Sequence, residues 1–346
     1  MLREFVIGLT LAGHADQYTR GHSVKWRGND PLFQGVRKST AARGRAALTW
    51  NGAGAVLARV TGREEPRPRL ATALQSAPPG RAPDLAGLAS GANGLSRGPL
   101  STVLAEDRYQ LLLEELPNAP RDEMRSALGF RIRDRIETPL DEAVIELLEM
   151  PPQARATGTR SAYAIVTSQE DVQDHVARVR AAGLKLDTID LPELCMRNLA
   201  VRLPQDQDGV AFLHFTDEHG LLTITRQGVL YLVRRIEVGR LQLDMTPTTQ
   251  VNTGLIPSIC LELQRSLDYY EAHYDLPSIG ELVLGPGTAV AGLGEAIAGQ
   301  LGLTVSTLDL AGLFELDEEL DQEQQKACLF AAGAALRTDA ATGWDG

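Results

Sequence analysis

The chain has little of what would indicate a metal centre, a redox centre or a membrane span. Its 346 residues include three cysteines, Cys195, Cys260 and Cys328, each among apolar residues in a helical pattern. Their spacing matches no common metal motif, so we expect buried free thiols. No run approaches the roughly 20 apolar residues that cross a bilayer. The short apolar segment Phe5–Ala12 lacks a signal-peptide cleavage site, and we expect a cytoplasmic protein.

An excess of positive charge is also missing. The net charge is −11, which argues against nucleic acid or an anionic lipid surface as the main partner. Residues 1–45 are the exception, since they carry eight basic and three acidic side chains. Because this segment shows no sustained periodicity, we predict a poorly ordered basic arm, with contact to acidic lipid as the alternative.

The clearest pattern present is a meander of three strands at Gly209–Gly239. Apolar runs on either side of the polar cluster Thr216–Gly220 predict two strands, and the turn at Gln227–Gly228 leads into a third. A similar arrangement, with strands around a turn at Asn51–Gly54, is predicted for Ala46–Leu74. The sequence therefore contains two meanders, one in each half.

Helices and a parallel-strand unit follow the meanders. Apolar residues at helical spacing predict a long helix at Pro257–Tyr274, whereas residues 240–254 show no strong pattern. A strand, the turn Gly285–Pro286–Gly287, a helix at Val290–Leu301 and a further strand form a βαβ unit. The last predicted helix is Gln324–Arg337.

In the first half, the predicted helix Asp122–Ile136 places its apolar residues opposite four arginines. These are Arg125, Arg131, Arg133 and Arg135. Such a face is most often simply solvated. The alternative is a surface that meets an acidic peptide or lipid head groups.

This order of elements resembles the pilus-biogenesis proteins of the MshI and PilM type, relatives of the division protein FtsA in the actin-like ATPase superfamily. The match is closer to the MshI branch. The resemblance rests on GLKLDTIDLPELCMRNLA at 183–200, FLHFTDEHGLLTITRQGVLYLVRRIEVG at 212–239, LELQRSLDYYEAHY at 261–274, ELVLGPGTAVAGLGEAIAGQLGL at 281–303 and CLFAAGAALR at 328–337. It covers about residues 46–337.

The fold that the resemblance implies is α/β: an actin-like (ribonuclease H-like) two-domain fold with a small α+β subdomain inserted in the first half. The expected units are a basic arm at 1–45, a first domain at 46–205 with the insertion at about 116–182, a second domain at 206–337 with a reduced outer subdomain at about 237–276, and a tail at 338–346.

The function that the resemblance implies is a cytoplasmic part of a type IV pilus assembly apparatus of the mannose-sensitive haemagglutinin kind. Such a protein is held peripherally at the inner membrane through partners. The implied partner is the cytoplasmic N-terminal peptide of a single-span PilN-like protein, bound by the first half and its insertion. The arginines at 125, 131, 133 and 135 are the candidate partner-binding residues.

The nucleotide motifs of the superfamily are eroded in this chain. The first phosphate turn should contain Asp-x-Gly, but Thr49 stands in place of the aspartate, and only Gly52 and Gly54 remain to let backbone approach a phosphate. In the third motif, Gly285 and Gly287 flank Pro286, which removes one backbone donor from the loop that would hold the nucleoside.

The second phosphate turn also departs from Asp-x-Gly. The aligned residues are His214, Phe215 and Thr216. Asp217 follows and Gly220 closes the turn, so a shifted turn presenting Asp217 to magnesium is the alternative to an ordinary turn residue. His214 and His219 are five residues apart without a third ligand, and we expect surface or turn histidines rather than a metal site.

Three functions of different classes remain open. The preferred one is a non-enzymatic adaptor that needs no cofactor and binds a pilus peptide. The second is an ATPase that holds ATP and magnesium through Asp217. The third is a small-molecule kinase of the same superfamily, for which the sequence offers no recognisable catalytic aspartate.

Overall fold

The computed structural model describes residues 44–338, except for 79, 93, 121–122, 154–159, 289 and 291. All but the first residue of the predicted tail and all but the last two residues of the predicted basic arm lie outside these residues. The strands are β1 (Arg45–Trp50), β2 (Gly54–Thr61), β3 (Arg69–Ser76), β4 (Leu100–Val103), β5 (Gln110–Glu115), β6 (Ala143–Glu149), β7 (Ser161–Ser168), β8 (Thr188–Asp190), β9 (Val210–Phe215), β10 (Gly220–Arg226), β11 (Val229–Ile236), β12 (Glu281–Leu284), β13 (Thr304–Thr307) and β14 (Glu315–Leu316). The α-helices are α1 (Leu85–Gly91), α2 (Met124–Ile132), α3 (Gln169–Ala181), α4 (Pro192–Ala200), α5 (Arg240–Met245), α6 (Thr248–Gln250), α7 (Ile256–His273), α8 (Leu293–Leu301), α9 (Leu310–Leu313) and α10 (Gln322–Ala335).

Two of the three sheets repeat one topology. The first has the order β3-β2-β1-β4-β8, with β14 added at the outer side of β3, and the second has the order β11-β10-β9-β12-β13. In each, three antiparallel strands form a meander and two further strands run parallel to the first of them. The two predicted meanders are thereby confirmed, and each one starts the sheet of its own half.

The sequence of the central strand β9 is almost continuously apolar, and its position in the sheet explains why. All six of its residues are buried, because the second sheet is covered on both faces. Val210 and Phe212 pack into the core shared with the first half, whereas Leu213 and Phe215 pack against α7 and α8 in a second core. The alternation that sends successive side chains to opposite faces therefore separates two apolar cores.

The third sheet, β5-β7-β6, is antiparallel throughout and belongs to the insertion in the first half. The apolar side of α2 packs on one face through Met124, Leu128 and Ile132. The other face packs against α3 and the start of α4. This sheet begins at Gln110, six residues before the predicted start of the insertion. The predicted domain limits stay predictions.

The two halves are joined by α4 and α10, which pack against each other between the first and second sheets. They approach so closely that a Cβ on Gly333 of α10 would overlap the backbone carbonyl of Cys195 in α4. Asn198 adds a hydrogen bond to the Gly333 carbonyl, at 3.1 Å. Cys195, Cys260 and Cys328 are all buried free thiols, as predicted.

The absence of a strong pattern after the second meander proved misleading. Residues 240–255 form α5, α6 and a π-helical turn that leads directly into α7. Helix α5 begins where the N–H groups of Arg240 and Leu241 donate to the carbonyl groups of Thr216 and Asp217, at 2.9 and 3.1 Å. These partners come from a distant turn, so no local pattern reveals them.

We expect Gly333→Ala to lower the free energy of unfolding by about 1–3 kcal/mol, because the new methyl group forces α4 and α10 apart. Gly299→Ala is the matched control, since Gly299 lies in α8 with no atom within 4 Å of an added Cβ. It should leave stability unchanged or raise it by up to about 1 kcal/mol. Urea denaturation of both variants checks this, and a Gly333→Ala variant as stable as the wild type would contradict the close crossing.

Candidate nucleotide cleft

The β1–β2 turn, the first of the three predicted nucleotide-binding turns, satisfies its own backbone donors. The side-chain oxygen of Asn51 accepts hydrogen bonds from the N–H groups of Ala53 and Gly54, at 2.9 and 3.0 Å. The N–H of Asn51 donates to the Gly54 carbonyl at 2.9 Å. Three backbone donors of this turn are therefore already engaged within the chain. Gly52 is exposed at the tip of the turn.

The β9–β10 turn is closed internally. The N–H of Thr216 donates to the His219 carbonyl at 2.8 Å, and the N–H of His219 donates back to the Thr216 hydroxyl at 3.3 Å. Gly220 pairs with Phe215 in the sheet, and a Cβ on it would lie 3.1 Å from the Phe215 ring. Of the residues predicted for this motif, Thr216 and Gly220 thus serve the turn and the strand.

Asp217 is bound by an arginine of α5. One of its carboxylate oxygens accepts from Nε and Nη2 of Arg240, at 3.1 and 2.6 Å. The same guanidinium also binds Asp244 one helical turn later, at 2.6 Å. The Asp217 carboxylate is about half exposed. The Asp217 carboxylate balances the positive charge of Arg240 at the start of α5. A metal ion would have to compete with Arg240 for this carboxylate.

The loop after β12 is packed against β9 and α10. The N–H of Gly285 donates to the Leu213 carbonyl at 2.8 Å, and a Cβ on Gly285 would overlap the His214 ring. The N–H of Gly287 donates to the side-chain oxygen of Gln322 at 3.3 Å. A Cβ on Gly287 would lie 2.7 Å from Lys326. Both glycines of this motif are therefore required by contacts within the chain.

A small pocket remains between the second turn and this loop. Its volume is about 100 Å³, and its lining residues are Phe215, Arg240, Leu243, Asp244, Gly287, Thr288, Val290 and Glu323. Ligand pockets for molecules of nucleotide size usually enclose about 300–1,000 Å³. The pocket therefore has room for a few water molecules or a single side chain.

The prediction for the two histidines was wrong for His214. It is buried on the face of β9 that meets α10, with its ring edge-on to Phe330 at a centroid distance of 5.4 Å. Burial, with a smaller contribution from Lys326, lowers the pKa of His214 to about 3, so the ring is neutral. His219 instead faces Glu106 and Glu237, at 3.9 and 3.7 Å. Among the described residues, no three His, Cys, Asp or Glu side chains are placed to hold a metal ion.

A polar cluster that the sequence did not reveal crosses the cleft. The hydroxyl of Tyr109 donates to Glu193 at 2.7 Å, and the guanidinium of Arg235 lies over the Tyr109 ring at 5.0 Å and 3.7 Å from Glu193. Tyr109 and Glu193 belong to the first half, whereas Arg235 lies on β11. Burial raises the pKa of Glu193, and Arg235 opposes this effect.

Glu106 extends this cluster to the second turn. Its carboxylate accepts from the Thr216 hydroxyl at 3.4 Å. Burial, followed by the charge of Glu193, raises the pKa of Glu106 to about 7. An acidic residue in the first turn of a helix is common, so Glu193 gave no signal of burial in the sequence.

The four predicted partner-binding arginines mainly contact the insertion itself. Arg125 pairs with Glu146 at 2.6 Å, Arg135 pairs with Glu114, and Arg131 donates to the Glu115 carbonyl at 3.1 Å. Arg133 is 3.5 Å from Asp134, its neighbour in sequence. The side chains of Arg125, Arg133 and Arg135 remain more than half exposed. Their role in partner binding stays a prediction.

Glu106 gives stability a pH dependence. Its pKa is about 7 in the folded protein against about 4.5 for an exposed carboxyl, so its contribution is fully present below pH 4.5 and is lost as the pH rises through 7. We expect Glu106→Gln to be more stable than the wild type at about pH 8, by up to about 3 kcal/mol, with the difference vanishing near pH 4.5. Denaturation curves across this range measure it.

A difference between the two proteins that did not change with pH would contradict the raised pKa. Glu146, in the insertion, also has a pKa raised to about 7 by burial. The free energy of unfolding of the wild type therefore depends on pH through both Glu106 and Glu146. The Glu106→Gln variant should lose only the part that comes from Glu106.

The structure is similar to that of a PilM-PilN type IV pilus biogenesis complex, with a TM-score of 0.64 and 22% identity over 85% of this chain and 98% of that one. A protein with actin-like ATPase fold from Bacteroides thetaiotaomicron gives 0.46 at 6% identity, over 80% and 93%. The cytoplasmic domain of EpsL, from the type II secretion system of Vibrio cholerae, gives 0.45 at 11% identity, over 85% and 98%.

Neither the protein-family models nor the curated sequences compared with the chain match it. In the described part of the chain, no helix has both the length and the apolar character needed to cross a membrane. The duplicated sheet topology and the likeness to the PilM-PilN structure confirm the predicted fold: the chain has the actin-like α/β fold.

Proposed function

We propose that the protein is a non-enzymatic adaptor of type IV pilus assembly, which keeps the actin-like fold and binds a peptide of an inner-membrane partner. The observation that carries this proposal is that the chain itself engages groups at all three nucleotide turns. Asn51 accepts from the first turn, Arg240 holds the carboxylate of the second, and Gln322 accepts from the third. A bound phosphate relies on such free donors and on a magnesium-bound carboxylate.

The ATPase alternative requires Asp217 to leave Arg240 and requires the pocket to widen severalfold. Magnesium is usually held by one or two carboxylates together with the phosphates of the substrate. Asp217 is the carboxylate of the second turn, and it already accepts two hydrogen bonds from a guanidinium. The kinase alternative has less support, since the carboxylates that line the pocket, Asp244 and Glu323, are paired with Arg240 and Lys326.

The proposed partner is a PilN-like single-span protein of the inner membrane, which offers its cytoplasmic N-terminal peptide. The likeness to the PilM-PilN complex supports this choice, since it spans most of both chains. The partner would place the protein at the cytoplasmic side of that membrane without a span of its own. The sequence resemblance favours the MshI branch and therefore a pilus of the mannose-sensitive haemagglutinin kind.

We expect ATP with magnesium to leave the melting temperature of the protein unchanged, because the chain itself engages backbone donors of the first and third turns and the Asp217 carboxylate of the second. A ligand present at about 100 times its dissociation constant would add roughly 2.7 kcal/mol to the free energy of unfolding. Differential scanning calorimetry of the wild type and of Asp217→Ala makes the comparison. A clear upward shift of the melting temperature in the wild type that is lost in Asp217→Ala would contradict the adaptor proposal and favour the ATPase alternative.

We expect a synthetic N-terminal peptide of a PilN-like protein to bind, and Arg133→Ala to weaken binding about fivefold, the effect of roughly 1 kcal/mol. Arg133 suits this test because its side chain is mostly exposed and, within the described part of the chain, pairs with its sequence neighbour Asp134. Arg265→Ala is the matched control, since this exposed arginine of α7 pairs with Glu262 in the second half. Isothermal titration calorimetry measures both.

Absence of binding to every such peptide would remove the partner from the proposal. Equal weakening by both substitutions would instead show that Arg133 has no special part in binding.

A further inference from the structure

Strand β13 ends the second sheet, and no strand of the described residues pairs with its outer side. It runs parallel to β12 on its inner side. The N–H groups of Thr304 and Leu308 donate to carbonyl groups on the β12 side, at 2.9 and 2.8 Å. Because the direction of the backbone groups alternates along a strand, those of Val305 and Thr307 point away from the sheet. The outer side of β13 therefore presents two N–H groups and two carbonyl groups.

The side chains of β13 leave this edge accessible. Thr304, Ser306 and Thr307 are exposed, and Val305 is half-buried. In the part of the chain that the structure describes, the main neighbours of β13 are β12, beside it in the sheet, and α8, on one face. Another strand can therefore reach the outward backbone groups from the side.

The other sheet edges carry protection that β13 lacks. Natural proteins block edge strands with charge, proline, short length or cover. Strands β8 and β14 have only three and two residues, and β5 and β6 each carry two glutamates. At the edge of β11 the Tyr163 hydroxyl accepts from the Val233 N–H at 3.0 Å and donates to the Val233 carbonyl at 3.1 Å. The four residues of β13 include no charge and no proline.

A second copy of β13, in antiparallel orientation, complements this edge. When the two copies are centred on Ser306, each Val305 lies opposite Thr307 of the other copy, so that all outward groups form hydrogen-bonded pairs. Charge decides which edge can pair with itself, because the chain carries a net charge of −11 and like charges placed opposite each other destabilise a strand pair. Two copies of β5 or β6 would bring the glutamates of both copies to the junction. Two copies of β13 bring none.

Helix α8 also permits the approach of a second copy. It packs beside the edge so closely that a Cβ on Gly294 would lie 3.6 Å from Cγ1 of Val305. Ala298 follows one turn later, and both residues are half-buried. The distance between two packed helices depends on the side chains at their contact. Small residues on this side of α8 therefore leave room for the α8 of the other copy, which would lie on the same face of the joined sheet.

We propose that two copies of the protein associate through β13, which joins their five-stranded second sheets into one sheet of ten strands. The two-fold axis of this dimer passes between the two Ser306 residues. The contact uses neither α2 nor a residue of the three nucleotide turns. Self-association through β13 can therefore be tested separately from the binding of a partner peptide.

Ser306→Lys tests the pairing, because it places two lysines opposite each other at the centre of the junction. We expect the full chain to dimerise as its concentration rises, and Ser306→Lys to raise the dissociation constant of the dimer about fivefold. Ser126→Lys is the matched control, since it adds the same charge at an exposed serine of α2 and should leave the constant unchanged. Sedimentation velocity measures all three proteins.

Ser306→Cys gives a second variant with an independent measurement. The proposed pairing brings the two Cα atoms at this position to about 4.5 Å, a distance that a disulfide can bridge. The corresponding atoms of Thr304→Cys, the control, would be about 14 Å apart. We expect mild oxidation to cross-link Ser306→Cys and not Thr304→Cys. The native cysteines are buried.

Hydrogen exchange, followed by NMR, locates the contact in the wild type. Exchange at the outward N–H groups of Val305 and Thr307 should slow as the concentration rises. The N–H of Ser306 points toward β12, so its exchange should be slow at every concentration. A wild type that stays monomeric at every soluble concentration would overturn the proposal. A dimer in which Val305 and Thr307 exchange as fast as in the monomer would overturn it as well.

Discussion

The close crossing of α4 and α10 is the contact on which the arrangement of the molecule depends. Each helix belongs to one half by chain order, yet both lie in the core between the first and second sheets. Helix α10 comes at the end of the second half and covers β1, β2 and β4 of the first. The small residues Ala331, Ala332, Gly333 and Ala335 are fully or almost fully buried and permit this approach. Buried contact area is the main source of stabilisation. Because α10 packs on both the first and the second sheet, it fixes how the two sheets are arranged relative to each other.

This arrangement explains the state of the cleft. In the same helix, Lys326 packs on Gly287 and Phe330 on His214, while Gln322 at its start accepts from the Gly287 N–H. Helix α5 similarly covers the second turn through its N-terminal N–H groups and Arg240. The contacts of Gln322, Arg240 and the α5 N–H groups satisfy polar groups that would otherwise need water or a ligand. Side chains and N–H groups of the chain itself thus engage the three turns, and the proposed adaptor function rests on these contacts.

The sequence was most informative where local signals coincide with the topology. The two meanders, the βαβ unit and the apolar stripe of α7 were predicted, because alternation, glycine turns and helical spacing all act within a few residues. The loss of the phosphate motifs, predicted from Thr49, from His214–Thr216 and from Pro286, stays a prediction. Whether ATP binds stays a prediction.

What the sequence did not reveal depends on distant partners. Helix α5 forms on carbonyl groups of the β9–β10 turn, and His214 is buried because α10 returns over β9 from more than 100 positions later in the chain. Glu106, Glu193 and Arg235 meet only after the halves pack together. Such contacts have no period or spacing in the sequence, so their chemistry emerges only with the tertiary structure.

The proposed adaptor function requires that the chain itself engages the three nucleotide turns. The most direct measurement is a ¹⁵N–¹H spectrum of the labelled protein during titration with ATP and magnesium, read at the amides of Ala53, Gly54 and Gly287. We predict that these amide signals stay in place throughout the titration. Saturable shifts of these amides, in the first and the third turn, with a common dissociation constant would contradict the adaptor proposal, because they would show a nucleotide displacing Asn51 and Gln322 from the groups they now bind.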